Sequence, residues 1–339
     1  EGDSAATTPF PVQCDYRQIR QDYTVGAVHP GSITVAVMDT GSLFLKSPYT
    51  SSQDHTDRSL PLVKREAADY PYGFCSLTKY LDRDYRKHMS KSTVDSSMMD
   101  IDDVLGNPYD DTESRHGTTV SAIIAKASSQ ENGLNTDVLG VASNAAILPV
   151  KCFDYLGAST LFDVLCAFNY IFSRIRLDNI RVVNASWGMY MPKDKSSSLS
   201  LLHKKIVALQ KEQVFFVTSA GNRPNLDSEA HNLEKATMYP ACFSSSSNKL
   251  KNLITVTTVA APLPEKDLED TSHQLQAVEN YSSKFVDIGV VGHSVEGLFS
   301  SPFKDRSGKN TAPAVINGSS FAAAYVSRYL AQALLHDPS

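Results

Sequence analysis

The chain has 339 residues, of which 42% are hydrophobic and 20% charged, and a formal net charge of −5 at pH 7. That is enough for one large α/β domain or two smaller ones, and the small charge with no Lys/Arg-rich cluster argues against nucleic acid or an anionic membrane as the main partner. No apolar run approaches the roughly 18 to 20 residues that a spanning helix needs. Glu1 opens the chain without a Met or a signal-like segment, so the expectation is that the natural N-terminus was removed. Five dispersed cysteines (Cys14, Cys75, Cys152, Cys166, Cys242) show no CxxC spacing, which argues against a zinc or redox motif.

In chain order, SITVAVM (residues 32–38) is the first strand and runs into Asp39-Thr40-Gly41. A polar stretch from about 46 to 113 reads as an insertion of loops and short helices. His116 opens a helical pattern over 117–127. Strands are expected at 145–151, 180–186, 213–219 and 252–260, with helices at 161–175 and 199–210 between them. Residues 261–280 read as a second surface excursion. INGSSFAAA (316–324) then begins a helix whose apolar positions include Phe321, Ala322, Val326, Leu330 and Leu334. Apolar strands separated by single helices predict an α/β fold of three layers: a mostly parallel sheet with helices on both faces. The expectation is a single domain over 1–339, interrupted by insertions at about 46–113 and 261–280. In such sheets ligands bind beyond the carboxyl ends of the strands.

Each chemistry-bearing residue has a plain alternative role. Asp39 before Thr-Gly suits a turn, His116 a helix start, Asn222 in SAGN an Asx-turn, and Ser319 or Ser320 a helix cap. A helix N-terminus also disfavours a positive imidazole, so keeping His116 there calls for a nearby carboxylate. What is specific is the joint order. Strand-Asp-Thr-Gly is followed by His-Gly-Thr opening a helix, then strand-Asn-x-Ser-Trp-Gly, strand-Ser-Ala-Gly-Asn, and Gly-Ser-Ser opening a helix.

In these five motifs the chain resembles the subtilisin-like serine proteases (subtilases), whose triad follows the order Asp, His, Ser. VLGVASNAAILPVK (138–151) and MYPACF (238–243) extend the similarity. The resemblance implies acyl transfer. Ser320 would attack a peptide carbonyl, His116 would accept and return its proton, and Asp39 would orient the imidazole. The Asn222 amide and the Ser320 N–H would bind the oxyanion. Ser319 stands where the family usually has Thr.

The resemblance also assigns binding roles. Ser186, Trp187 and Gly188 form one wall of the primary specificity pocket, and Ser219, Ala220 and Gly221 the other. The edge Gly157, Ala158 and Ser159 pairs with an extended polypeptide substrate by strand addition. Met238 falls at the pocket floor, where each buried methylene would displace about 0.8 kcal/mol of a competing substrate group. Arg223 falls at the rim, where a cation would repel basic side chains. Together these imply a preference for small or medium uncharged residues before the scissile bond.

A loop at 128–142 offers Asn132, Asn135 and Asp137 as ligands for a structural calcium, with a polar turn as the alternative. No cofactor is implied for catalysis. A cleaved propeptide (a zymogen) and a secreted, cell-surface or otherwise extracytosolic location follow from the family likeness. The chain departs from the family pattern in Ala324 for the usual Pro, GVVG (289–292) for the usual Ala-Pro-Gly, and a long interval between Asp39 and His116. A peptide ligase on the same machinery, or a non-catalytic binding protein with this fold, are the alternatives.

Overall fold

The structure is a computed structural model that describes residues 31–42, 73–77, 108, 110, 112, 114, 116–125, 145–154, 156–223, 229–259, 279–291, 295–296, 315–316 and 318–336. Thr34–Asp39 (β1) shows why a sheet forms here. Val35 and Val37 point into one core and Ala36 and Met38 into another, so alternate side chains are buried on opposite faces.

The remaining sheet strands are Phe74–Cys75 (β2), Ala146–Lys151 (β3) and Ile180–Ala185 (β4). Two short strands, Met189–Tyr190 (β5) and Met238–Tyr239 (β7), pair with each other apart from the sheet, while Phe215–Ser219 (β6), Leu253–Val259 (β8) and Ile288–Val291 (β9) complete it. The order is β2-β3-β1-β4-β6-β8-β9, and every ladder is parallel. Val295–Glu296 (β10) and Val315–Ile316 (β11) form a separate antiparallel pair.

Helices cover both faces. His116–Ala125 (α1) and Ser319–His336 (α4) pack on the face of Val35 and Val37. Leu161–Arg174 (α2) and Ser200–Lys211 (α3) pack on the other. The α2 start is a capping pair, with the Asp163 N–H on Thr160 Oγ1 at 3.1 Å and Thr160 Oγ1 donating to the Asp163 carboxylate at 2.7 Å. Val164, Ala167, Phe168 and Ile171 then bury one helical stripe. Phe168 stacks on Phe216 at 5.7 Å, and its truncation to Ala is expected to cost about 3–5 kcal/mol. Helix α4 is buried nearly all round from Ser319 to Arg328, because Ala322, Ala323 and Ala324 let it nest between α1 and the sheet.

The three-layer parallel architecture is as the sequence predicts, and the five expected strands are all present. Two expectations change. The polar stretch 46–113 is more than loops and helices, since Phe74 and Cys75 pair with Val150 and Lys151 as an edge strand. The excursion 261–280 ends in buried residues, Glu279 and Asn280. The chain crosses from β3 to β4 over β1, so the sheet reverses its winding there and leaves a crevice at the carboxyl ends. Asp39 ends β1, and the segments after β3, β4 and β6 leave from that same end.

Candidate active site

One half of the site is built from β1 and α1. His116 Nδ1 lies 2.8 Å from Asp39 Oδ1, which also accepts the Thr40 N–H at 2.8 Å. Asp39 is buried, while the His116 ring keeps an exposed edge. Asp39 Oδ2 is buried with no hydrogen-bond partner among the described residues. The two elements are locked together at Gly117, whose N–H donates to Thr40 Oγ1 at 2.8 Å. A Cβ at Gly117 would come within 2.5 Å of the Gly41 carbonyl oxygen, so only glycine permits this approach. Buried Lys151 adds a tie from β3, its Nζ donating to the Thr40 carbonyl at 2.6 Å. Burial pulls the His116 pKa down, but the charge of Asp39, its hydrogen bond and the charge of Asp110 outweigh burial. The imidazole is therefore held above its ordinary 6.5.

The other half is built from α4 and the segment after β6. Ser320 lies in the first turn of α4, and its Oγ donates to the Ser186 carbonyl at 3.0 Å. Ser186 Oγ donates in return to the Ser320 carbonyl at 2.8 Å and also reaches Asn184 Oδ1 at 2.9 Å. Phe321, the next residue, places its ring centroid 5.6 Å from that of His116. The exposed Asn222 is fixed by its acceptor end: Oδ1 takes the Ser319 N–H at 2.8 Å and the Ser319 hydroxyl at 2.9 Å. With Oδ1 so held, Nδ2 is left to donate outward. A Cβ at Gly318 would sit 2.7 Å from that Nδ2, which explains the glycine before the paired serines. Ser319 is thus a bracing residue for the amide, a role its sequence position alone did not disclose.

Ser186–Gly188 and Ser219–Gly221 face each other with Met238 between them. The positions a Cβ would take at Gly188 and Gly221 lie 2.1 Å from Met238 Cε and 2.3 Å from its Sδ, and the Met238 side chain is buried. The thioether therefore occupies the space between the two segments and is not turned away. Trp187 is half-buried against Phe153, at 5.6 Å between centroids.

Arg223, the expected rim cation, has an acidic neighbour. Its backbone N–H donates to Glu279 Oε2 at 2.7 Å, while the guanidinium Nε lies 3.9 Å from Oε1, an ion pair without a hydrogen bond at Nε among the described residues. Glu279 was invisible as a partner because 56 residues separate the two. Asn280 beside it holds the Ala220 carbonyl at 3.2 Å and the Tyr190 hydroxyl at 2.6 Å.

The edge 156–159 is shaped by Asp154. Its Oδ1 accepts the N–H groups of Leu156 and Ala158, while its own N–H donates to the Ala158 carbonyl at 2.9 Å. Both backbone groups of Ala158 are thereby used internally. The Gly157 carbonyl and the Ser159 N–H have no such bond among the described residues. Asn132, Asn135 and Asp137 lie outside the described residues.

Burial pushes the Cys152 thiol well up and the Cys242 thiol to about 11, so neither is poised as a nucleophile. Asn184 and Asn280 are fully buried, which excludes glycan attachment at those two sequons in the folded chain.

The chain matches the family model described as the subtilase family over residues 31–339, and it belongs to that family of serine peptidases. Among solved structures it is similar to a cold-adapted subtilisin-like serine proteinase, at 18% identity and a TM-score of 0.48, over 94% of this chain and 84% of that one. A search of curated proteins finds no match. No helix among the described residues is long and apolar enough to cross a membrane.

Proposed function

We propose that the chain is an endopeptidase in which Ser320 is the nucleophile, His116 the general base and acid, and Asp39 the residue that orients the imidazole. The observation that carries this reading is the 2.8 Å Asp39–His116 bond, set beside the α4 start that bears Ser320. In this reading Ser320 Oγ exchanges the Ser186 carbonyl it now bonds for His116 Nε2 when substrate arrives. The serine oxygen then bonds to the substrate carbonyl carbon as its proton passes to Nε2. The oxyanion is met by Asn222 Nδ2 and the Ser320 N–H. Collapse breaks the peptide C–N bond as His116 returns the proton to the leaving amine, and water repeats the sequence on the acyl-enzyme.

Substrate adds as an extended strand to Gly157 and Ser159 on one side and to 186–188 on the other. Met238 shortens the primary pocket, so small or medium uncharged side chains fit before the scissile bond. With Arg223 partnered by Glu279, exclusion of Lys and Arg rests on pocket depth rather than on charge. A single peptidase domain with a removable propeptide, acting outside the cytosol, belongs to the same reading.

The test is covalent labelling by a fluorophosphonate, with Ser320→Ala as control, followed by mass analysis of peptide products. Labelling lost in Ser320→Ala and water-cleaved products are expected. Labelling that persists in that variant overturns the assignment, and ligated products replace hydrolysis by aminolysis.

A further inference from the structure

We propose that Asp110 is a second carboxylate of the acid–base half, a positioning residue that holds His116 and its protonated form at the head of α1 without touching substrate. This rests on the proposed role of His116. Asp110 is fully buried. Its Oδ2 accepts the N–H and the hydroxyl of Thr118, in the first turn of α1, at 3.0 and 2.8 Å. Its Oδ1 accepts the N–H and the hydroxyl of Thr112 at 3.2 and 2.6 Å. Its own N–H donates to the Ser42 carbonyl at 3.2 Å, and the Ser42 N–H returns to the Pro108 carbonyl at 2.8 Å. One residue thus ties the exit of β1, which carries Asp39, to the first turn of the helix that carries His116.

Its charge matters as well as its bonds. The exposed amides at a helix N-terminus set up a positive potential that works against an imidazolium on the first residue. A buried carboxylate in that turn offsets it, and the Asp110 charge acts on His116 in that direction. Other charged or titratable groups stand near it among the described residues. Asp39 on β1 acts in the same sense. The cation of Lys151 on β3 is held to the Thr40 carbonyl. The Cys152 thiol stays neutral, and α4 presents the uncharged Phe321. Asp111, Glu113 and Arg115 lie outside the described residues.

Asp110→Asn keeps the shape and an acceptor for the Thr118 N–H but removes the charge. The His116 imidazole is titrated by NMR in the Ser320→Ala background, where turnover does not interfere. Its pKa is expected to fall by about half a unit to one unit. In the active enzyme the acid limb of kcat/KM should move with it, and kcat should drop several-fold at nearly constant KM. A lower melting temperature with an unmoved titration would reduce Asp110 to a structural cap and overturn the proposal. If Asp110→Asn does not fold, Thr112→Val serves instead, since it removes one donor and leaves the charge. His116 should then titrate at or above its original value, and a fall would overturn the proposal. Failure of the wild type to react with a fluorophosphonate would count against the peptidase reading, while the titration would still decide the role of Asp110.

Discussion

The two halves of the site are built on different terms. Around Asp39 and His116 an ion pair is fixed in place: the carboxylate is buried, the imidazole is bonded to it with one ring edge exposed, and Gly117, Thr40 and Lys151 lock β1, α1 and β3 together. Around Ser320 and Asn222 the reactive groups are neutral and are bonded only to neutral partners. The serine hydroxyl rests on a carbonyl 3.0 Å away, and the amide is exposed, held only by its oxygen. The difference follows from charge. A group that must become an ion during the reaction needs a fixed, desolvated partner, whereas neutral donors can wait for charge that arrives with the substrate.

The strongest way to break that comparison is to delete one reactive group from each half. Ser320→Ala and His116→Ala should each lower kcat by on the order of a million-fold, the magnitude measured for the corresponding deletions in subtilisin. Both melting curves should stay close to wild type. Appreciable turnover in either variant would show that the halves do not act together. Asn222→Ala should cost on the order of 100- to 1000-fold in kcat with little change in KM, again a figure from subtilisin. A pure KM effect would turn Asn222 into a substrate contact.

Met238→Gly sharpens the comparison on the Ser320 side. Clearing the thioether from between Gly188 and Gly221 should raise kcat/KM on large apolar side chains by on the order of 10- to 100-fold. Peptide-library profiling checks this, and a wild type that already prefers Phe or Tyr would contradict a filled pocket. Ser319→Ala is milder. Losing one of two bonds to Asn222 Oδ1 should lower kcat roughly fivefold, and Ser319→Thr should restore it.

The smallest effect is in pH. His116 titrates above its ordinary 6.5, so the acid limb of kcat/KM should lie above that value. The folded state binds this proton more tightly than the unfolded chain. The associated stability is therefore fully present below pH 6.5 and is lost as pH rises through the folded pKa. Denaturant unfolding of Ser320→Ala across that range measures it, and the loss should vanish in His116→Ala.

Much of this was legible without coordinates. The apolar runs that became β1, β3, β4, β6 and β8 stand out because strands buried on both faces leave no polar alternation to confuse them. Edge strand β2 did not stand out, since two residues in a polar stretch carry no period. Asp110 lay among "YDDTES" (109–114), where nothing in the chain distinguishes it from the neighbouring Asp111. Glu279 sat in a stretch whose composition reads as surface, and only the fold placed its buried carboxylate 3.9 Å from the Arg223 guanidinium.

The sequence by itself determined the fold class and the order in which Asp39, His116, Asn222 and Ser320 meet the ends of their elements, because local periodicity and turn chemistry act over a few residues. Only the tertiary structure decided where the Met238 thioether lies, which carboxylate caps the His116 helix and what braces Asn222. Those choices are made between segments tens of residues apart, by exclusion of volume and by the need to partner every buried charge.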